Sequence, residues 1–384
     1  MCVWHSHLPH PAKDRYMKLT PLYNKHLELG ATMYTTGTGY EMPSFYRSAA
    51  EEARAVRENV GMIDLSLMSR LDLKGHAASS LVQNLIVNDA TRLKDGQALY
   101  STLCNEHGMI VDDVVVMRFE QQHFRVVTSS MFRHKTSEWI RAHMAGLDVQ
   151  LTDVSSGLAM IGVQGPKSRD LLRGITDIDL GKLGFFRFAS GRLANLPCTI
   201  ARLGFSGELG YECYFNTEDG VAAWHAIANA GKPHGIEPYG MDALDLLRLE
   251  KGFIFFGYDA TQEDNPYECG LWPFIRYDCG DFIGKEALLA IEKRGPAKKL
   301  LGLEISGAKP AAGGQPLMSG DVTVGKVVAG FRWVTLERNL AYAYLNAPHF
   351  DTGLQVTLEI EGVRQTGTVV QMPFLDPDGK RMRQ

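Results

Sequence analysis

Residues 48–61 read SAAEEARAVRENVG. Ser48 and Glu51 have capping-box spacing, so the pattern predicts a helix, with Gly61 as its stop. The period then changes to two in MIDLSLMSRLDLKG, which predicts a strand or strand pair. ASSLVQNLIVNDA predicts another helix. From Ala98 through Val127, LYSTLCNEHGMIVDDVVVMRF and HFRVVTS predict three strands separated by polar turns. The Asn105–Gly108 turn makes 108–116, GMIVDDVVV, the second arm of a hairpin.

From 150 onward strand and helix signals alternate. VQLTDVSSGLAMIGVQ is strand-like, and GPKSRDLLRG places Pro166 near a helix start and Gly174 at its end. TIARLGFSGELGYECYF predicts a glycine-rich hairpin. DGVAAWHAIANAG, MDALDLLRLEKG and KEALLAIEKRG predict helices. Beyond a basic run at 293–299, read as a solvated linker, short strands with Gly or Asp turns follow almost without helix signal. They predict a small β-barrel or sandwich. The fold class is therefore α+β: a mixed body and an all-β C-terminal domain.

Composition adds limits. The chain has 384 residues, more than one core accommodates, so two or three domains are expected. The divisions read from the pattern are 1–62 plus 150–292, 63–149, and 293–384. A net charge of −4 gives no support for nucleic-acid binding. No apolar run is long enough for a membrane span, and the first residues lack the apolar core of a secretory signal. Six scattered cysteines without a C-x-x-C pair fit buried free thiols in a reducing compartment, so the cytoplasm is expected. His5, His7 and His10 read as a tail rather than a metal site, and no metal is expected.

Most standard signatures are missing. TGTGYEMP at 36–43 lacks the third glycine and preceding strand of a dinucleotide site, and no P-loop, H-E-x-x-H or G-x-S-x-G occurs. What remains is Asp112-Asp113 in a β-branched run and Glu212 in GFSGELGYECYF. Alternation places Asp113 with Val111 and Val115 and gives Asp112 the opposite, solvated face. Local pattern alone leaves Asp113 either a surface residue at a hairpin end or a functional one. It leaves Glu212 as an ordinary strand residue.

Order and spacing of LTPLYNKHLELGATM, GYEMP, AVRENVGMIDLS, GQALYSTLCNEHGMIVDDVVV, VQGPKSRDLL, RLGFSGELGYECYF, ALDLLRLEKGF, NPYECGLWPFI and DFIGKEAL give the chain a family likeness. It resembles the tetrahydrofolate-dependent aminomethyltransferases, the T-protein of glycine cleavage and its relatives. The resemblance implies a three-domain cloverleaf fold with a folate channel and a C-terminal β-barrel. It implies that Asp113 approaches the reactive nitrogens of tetrahydrofolate and that Glu212 holds the pterin. Tyr100, Met68 and Val115 become folate contacts. A carboxylate in a partly apolar channel suits the acceptance of a proton from an amine that gains a carbon.

The sequence also departs from the T-protein pattern. Ser66-Leu67-Met68 stands for Ser-His-Met, Ala243-Leu244-Asp245 for Ala-Arg-Asp, and Phe205 and Phe185-Phe186 for channel tyrosines. A more apolar donor side points toward the demethylase and dimethylglycine or sarcosine dehydrogenase relatives. The expected activity is transfer of one carbon to tetrahydrofolate from a small methylated N-, S- or O-donor, with a dehydrogenase or lipoyl carrier as partner. The alternative is a glycine-cleavage aminomethyltransferase. A third reading is a non-catalytic folate-binding protein, against which stands Lys251-Gly252-Phe253 where such paralogues carry a cysteine.

Overall fold

A computed structural model describes residues 17–333 and 337–384. His5, His7, His10 and Cys2 lie outside the described residues. Local signals place most elements. Ser48 is the N-cap of the helix Ala49–Glu58, and its hydroxyl accepts from the Glu51 N–H at 3.2 Å. Gly61 is not the helix stop: it sits inside the strand Val60–Asp64. A Cβ there would lie 2.5 Å from Val56 Cγ2 and 2.6 Å from Tyr239, so glycine serves close packing.

The body is built on one 11-stranded sheet. Its order is Ile236–Pro238, Val60–Asp64, Leu158–Gln164, Gly210–Asn216, Leu196–Arg202, Arg187–Leu193, Gln97–Cys104, Ile110–Glu120, His123–Thr128, Ser69–Lys74 and Gln150–Asp153. The two halves meet in one register pair, Arg187 with Gln97. Two stretches of strand signal, MIDLSLMSRLDLKG (read as a strand or strand pair) and VQLTDVSSGLAMIGVQ, are divided between the halves. Val60–Asp64 pairs with Leu158–Gln164 in one half, while Ser69–Lys74 pairs with Gln150–Asp153 in the other.

The crossings lie side by side. The Leu65 N–H donates to Met160 O (2.8 Å) and the Val154 N–H to Arg70 O (2.9 Å). Arg70 is fully buried, and its guanidinium donates to the carbonyls of Ser66, Ser155 and Leu158. The sheet is thus folded back until its halves face each other. Between them lies an apolar cluster of Ala98, Met117, Val127, Met160, Ala201 and Tyr214, drawn from both halves.

The helices Ala78–Leu85 and Arg133–His143 cover the outer face of the second half. There Val114 and Val116 pack with Leu81, Val82 and Ile140. Six strands, Lys298–Ile305, Pro316–Ser319, Val322–Arg332, Asn339–Asn346, Gln355–Ile360 and Val363–Val370, form the closed C-terminal barrel. The basic run is not a free linker. The helix Lys285–Arg294 ends within it, the first barrel strand begins at Lys298, and Lys298 Nζ pairs with Asp264 at 2.5 Å. The Tyr342 hydroxyl fastens the barrel to the body, donating to Leu249 O at 3.1 Å. Cys104, Cys198, Cys213 and Cys269 are buried free thiols, as their apolar context predicts.

The body also holds a buried ion network. Arg57 donates to Glu250 Oε2 at 2.8 and 3.0 Å and to Glu208 Oε1 at 2.9 Å, tying the helix Ala49–Glu58 to the helix Met241–Glu250. Removing the cation takes from two buried carboxylates the guanidinium they share, although Glu208 keeps Arg381 at 3.0 Å. Arg57→Met is therefore expected to lower unfolding free energy by about 3–5 kcal/mol, read by denaturant titration.

Candidate active site

Strand alternation brings Asp113 to the enclosed side of the folded-back sheet. Along Ile110–Glu120, Asp112, Val114 and Val116 are buried, Val114 and Val116 in the cluster beneath the helices, while Asp113 and Val115 are partly exposed on the other face. A register shift between Leu103 and Cys104 leaves Val111 packed on the helix side and Ile110 in a different cluster, so Val111 does not share the Asp113 face as alternation predicts. The Asp113–Val115 parity is as predicted, but Asp112 does not reach water. Its carboxyl is 0% exposed and accepts from the Thr128 and Thr136 hydroxyls. The helix Arg133–His143 closes over the face that alternation alone assigns to solvent, and those hydroxyls supply the hydrogen bonds burial demands.

Tyr100 and Asp113 stand on the paired strands Gln97–Cys104 and Ile110–Glu120, where Tyr100 registers with Val115 and Thr102 with Asp113. The Tyr100 hydroxyl donates to Asp113 Oδ2 at 2.9 Å, and Phe274 packs edge-on against the Tyr100 ring at 4.8 Å. Burial pushes the Asp113 carboxyl up to about 6, opposed by the Tyr100 hydrogen bond. Tyr100 is itself driven well above its ordinary range, by burial and then by the Asp113 charge. It stays a neutral donor.

Glu212 lies on Gly210–Asn216, opposite Ala201 on one neighbouring strand and Gly162 on the other. It is 8% exposed, and burial pushes its carboxyl up to about 7. Tyr214, two residues on and therefore on the same face, donates its hydroxyl to Glu212 Oε2 at 3.0 Å. Sequence reasoning passed over Tyr214, although the i, i+2 spacing was legible. Thr128, Thr136 and Phe274 had no local signal, because each arrives from a distant segment.

Met68, Val115 and Phe186 pack against the same inter-sheet cluster as Tyr214. Tyr100 and Phe205 do not: they border a second cluster containing Leu67, Leu244 and Phe256, with Leu65 touching both. Phe205 stacks on Phe253 at 5.5 Å. Phe186 has φ 56°, a left-handed conformation costly for a side chain with a Cβ. Its N–H donates to Arg202 O and its carbonyl accepts from the Ala98 N–H, both at 2.9 Å, so it links the sheet halves at the cluster's rim.

Two carboxyls that hold protons near neutrality thus face an apolar enclosure, each braced by a tyrosine. Among the described residues no cluster of His, Cys, Asp or Glu suits a metal ion, and no helix is long and apolar enough to cross a membrane.

Comparison with known proteins extends this reading to the whole chain. Residues 22–279 match the model of the GCVT N-terminal domain. Residues 298–376 match that of the glycine cleavage T-protein C-terminal barrel domain. The chain belongs to the glycine-cleavage T-protein family. An aminomethyltransferase from Symbiobacterium thermophilum is 37% identical over 365 residues, covering 93% of this chain and 97% of the relative. One from Halothermothrix orenii is 33% identical over 359 residues, covering 94% and 100%. The crystal structure of the glycine cleavage system aminomethyltransferase T from Bartonella henselae superposes with a TM-score of 0.88 at 24% identity, covering 94% of this chain and 99% of that one. That likeness establishes the cloverleaf fold with its terminal barrel. These relatives carry the aminomethyltransferase name, and they lend no support to a nearer tie with the demethylase and dehydrogenase branches.

Both raised carboxyls bind protons more tightly in the folded chain than in the unfolded one. Their contribution to stability is therefore full below about pH 4 and is lost as pH rises through about 6 for Asp113 and about 7 for Glu212. Asp113→Asn and Glu212→Gln are each expected to stabilise the free protein at pH 8, by about 1–3 kcal/mol, and to do so much less at pH 4. Thermal unfolding at the two pH values checks this.

Proposed function

We propose that the chain is a tetrahydrofolate-dependent aminomethyltransferase of the glycine-cleavage type, with Asp113 as its proton-accepting group. The observation that carries the reading is a pair of tyrosine-braced carboxyls, Tyr100–Asp113 and Tyr214–Glu212, on the facing halves of one folded-back sheet, in a chain matched almost end to end by aminomethyltransferases. Tetrahydrofolate supplies the acceptor nitrogen for the one-carbon unit.

The residues fit such a ligand. Glu212 is a buried carboxyl whose described hydrogen bond is the one from Tyr214, which leaves Oε1 to accept from an aminopyrimidine edge. Desolvation has raised the Asp113 proton affinity toward neutrality, where a carboxylate both holds an amine N–H and takes up the proton released when that nitrogen gains carbon. Tyr100 keeps the Asp113 carboxyl oriented throughout. Met68, Val115 and Phe186 supply apolar contact and exclude water around the ring.

A second reading, a demethylase for a small methylated N-, S- or O-donor, is favoured by one observation. Leu67 and Leu244, which stand where the T-protein pattern has histidine and arginine, are buried in a single cluster, and Phe205 packs against it. Three polar functions are replaced together in one place.

The two readings predict different products. Purified protein with tetrahydrofolate, ammonia-releasing aminomethyl-lipoyl carrier and, separately, methylated amines, sulfonium compounds and methoxy aromatics is assayed by mass. The first reading expects 5,10-methylene-tetrahydrofolate from the carrier alone. 5-Methyl-tetrahydrofolate from a methylated donor establishes the second instead. Asp113→Ala is expected to cut turnover at least 100-fold, and Glu212→Ala to weaken tetrahydrofolate binding by about 10-fold or more. Wild-type protein that binds no tetrahydrofolate overturns both.

A further inference from the structure

We propose that Asp112 is a positioning residue: its buried carboxyl, gripped by Thr128 and Thr136, clamps the main chain of Asp113 and so fixes the Asp113 carboxyl against Tyr100. The inference rests on the role given above to Asp113.

Nothing in packing alone asks for an acid at position 112. The face is otherwise apolar, with Val114 and Val116 as its neighbours along the strand, and an apolar side chain there would avoid the desolvation of a carboxyl. What the acid does is specific. Its Oδ1 accepts the Asp113 main-chain N–H at 2.9 Å. Its Oδ2 accepts the hydroxyls of Thr128, the last residue of its strand, and Thr136, on the helix Arg133–His143. The ladder between Ile110–Glu120 and His123–Thr128 begins only at Val115, so on that side of Asp113 no strand partner is in register, and the amide is met by the Asp112 carboxyl.

Asp113 is therefore held from two sides. Asp112 grips its amide, and Tyr100 grips its carboxyl at 2.9 Å. Burial first, and the Asp113 charge second, drive the Asp112 carboxyl well above its usual range. The ionisable groups packed around the pair are Tyr100 and Cys104 on the paired strand and Cys269 beside Tyr100. Asp264, ion-paired with Lys298, joins them where its carbonyl accepts the Ile110 N–H.

The test reads the protonation midpoint of Asp113 in the free protein from its carboxyl carbon resonance, assigned by its loss in Asp113→Asn. Asp112→Ala frees the amide and loosens the Tyr100 hydrogen bond, which normally holds the midpoint down. The expected shift is upward from about 6 by about one pH unit. Asp112→Asn keeps an oxygen for the Asp113 amide, so it is expected to keep the midpoint close to that of the wild type. Thr136→Val removes one of the two hydroxyls, shifts the midpoint the same way by less, and serves if Asp112→Ala does not fold. An unchanged midpoint in Asp112→Ala or Thr136→Val, with only the melting temperature lowered, overturns the clamp in favour of packing. A fall of a unit or more in Asp112→Asn overturns it in favour of a charged neighbour. No folate is used, so failure to bind tetrahydrofolate would sink the proposed function and leave this result intact.

Discussion

Keeping carboxyl groups out of water is the constraint around which this molecule is arranged. Burying an acid is unfavourable unless hydrogen bonds meet it, and within one folded-back sheet the chain buries Asp112 and Glu212 and half-buries Asp113. Each has a hydroxyl supplied to it: Tyr100 for Asp113, Tyr214 for Glu212, Thr128 and Thr136 for Asp112. None of the three is neutralised by a lysine or arginine ion pair among the described residues. A cation would hold them deprotonated at all working pH values, whereas hydroxyls leave the proton affinity near neutrality.

That choice contrasts with the rest of the body. Elsewhere in the body several buried acids are matched with cations: Glu208 and Glu250 with Arg57, Asp245 and Asp259 with Arg248, Asp72 with Arg125. Arg70 reverses the pattern, a buried guanidinium satisfied by backbone carbonyls, and its work is to fasten the two crossings of the sheet. Ion pairs join helices and loops into a rigid frame. The frame then holds unpaired acids where an apolar wall can raise their proton affinity.

Much of this was legible beforehand. Ser48 and Glu51 announced the capped helix, the Asn105–Gly108 turn announced the hairpin, and the strand-rich end announced the barrel. The likeness of ordered motifs, not any single motif, pointed to Asp113 and Glu212, since neither residue stands out in its local pattern. Two readings failed for one reason. Gly61 and the run at 293–299 were judged by residue type, but Gly61 answers to Val56 and Tyr239, and Lys298 to Asp264. The donor-side replacements suggested a demethylase, while the relatives matched along the chain carry the aminomethyltransferase name.

By itself the sequence determined the local elements and the side of the strand on which Asp113 stands, because alternation and capping depend on neighbours in the chain. Only the tertiary structure decided what lies against the other side. Asp112 reads as solvated from its strand and is sealed in the fold by Thr128 and Thr136. Likewise MIDLSLMSRLDLKG reads as a strand or strand pair, and its two strands stand in opposite halves of a sheet, which the pattern does not indicate. Burial is a property of the surfaces that meet, and hydrophobic pattern along one strand carries no information about which helix will close over its polar face.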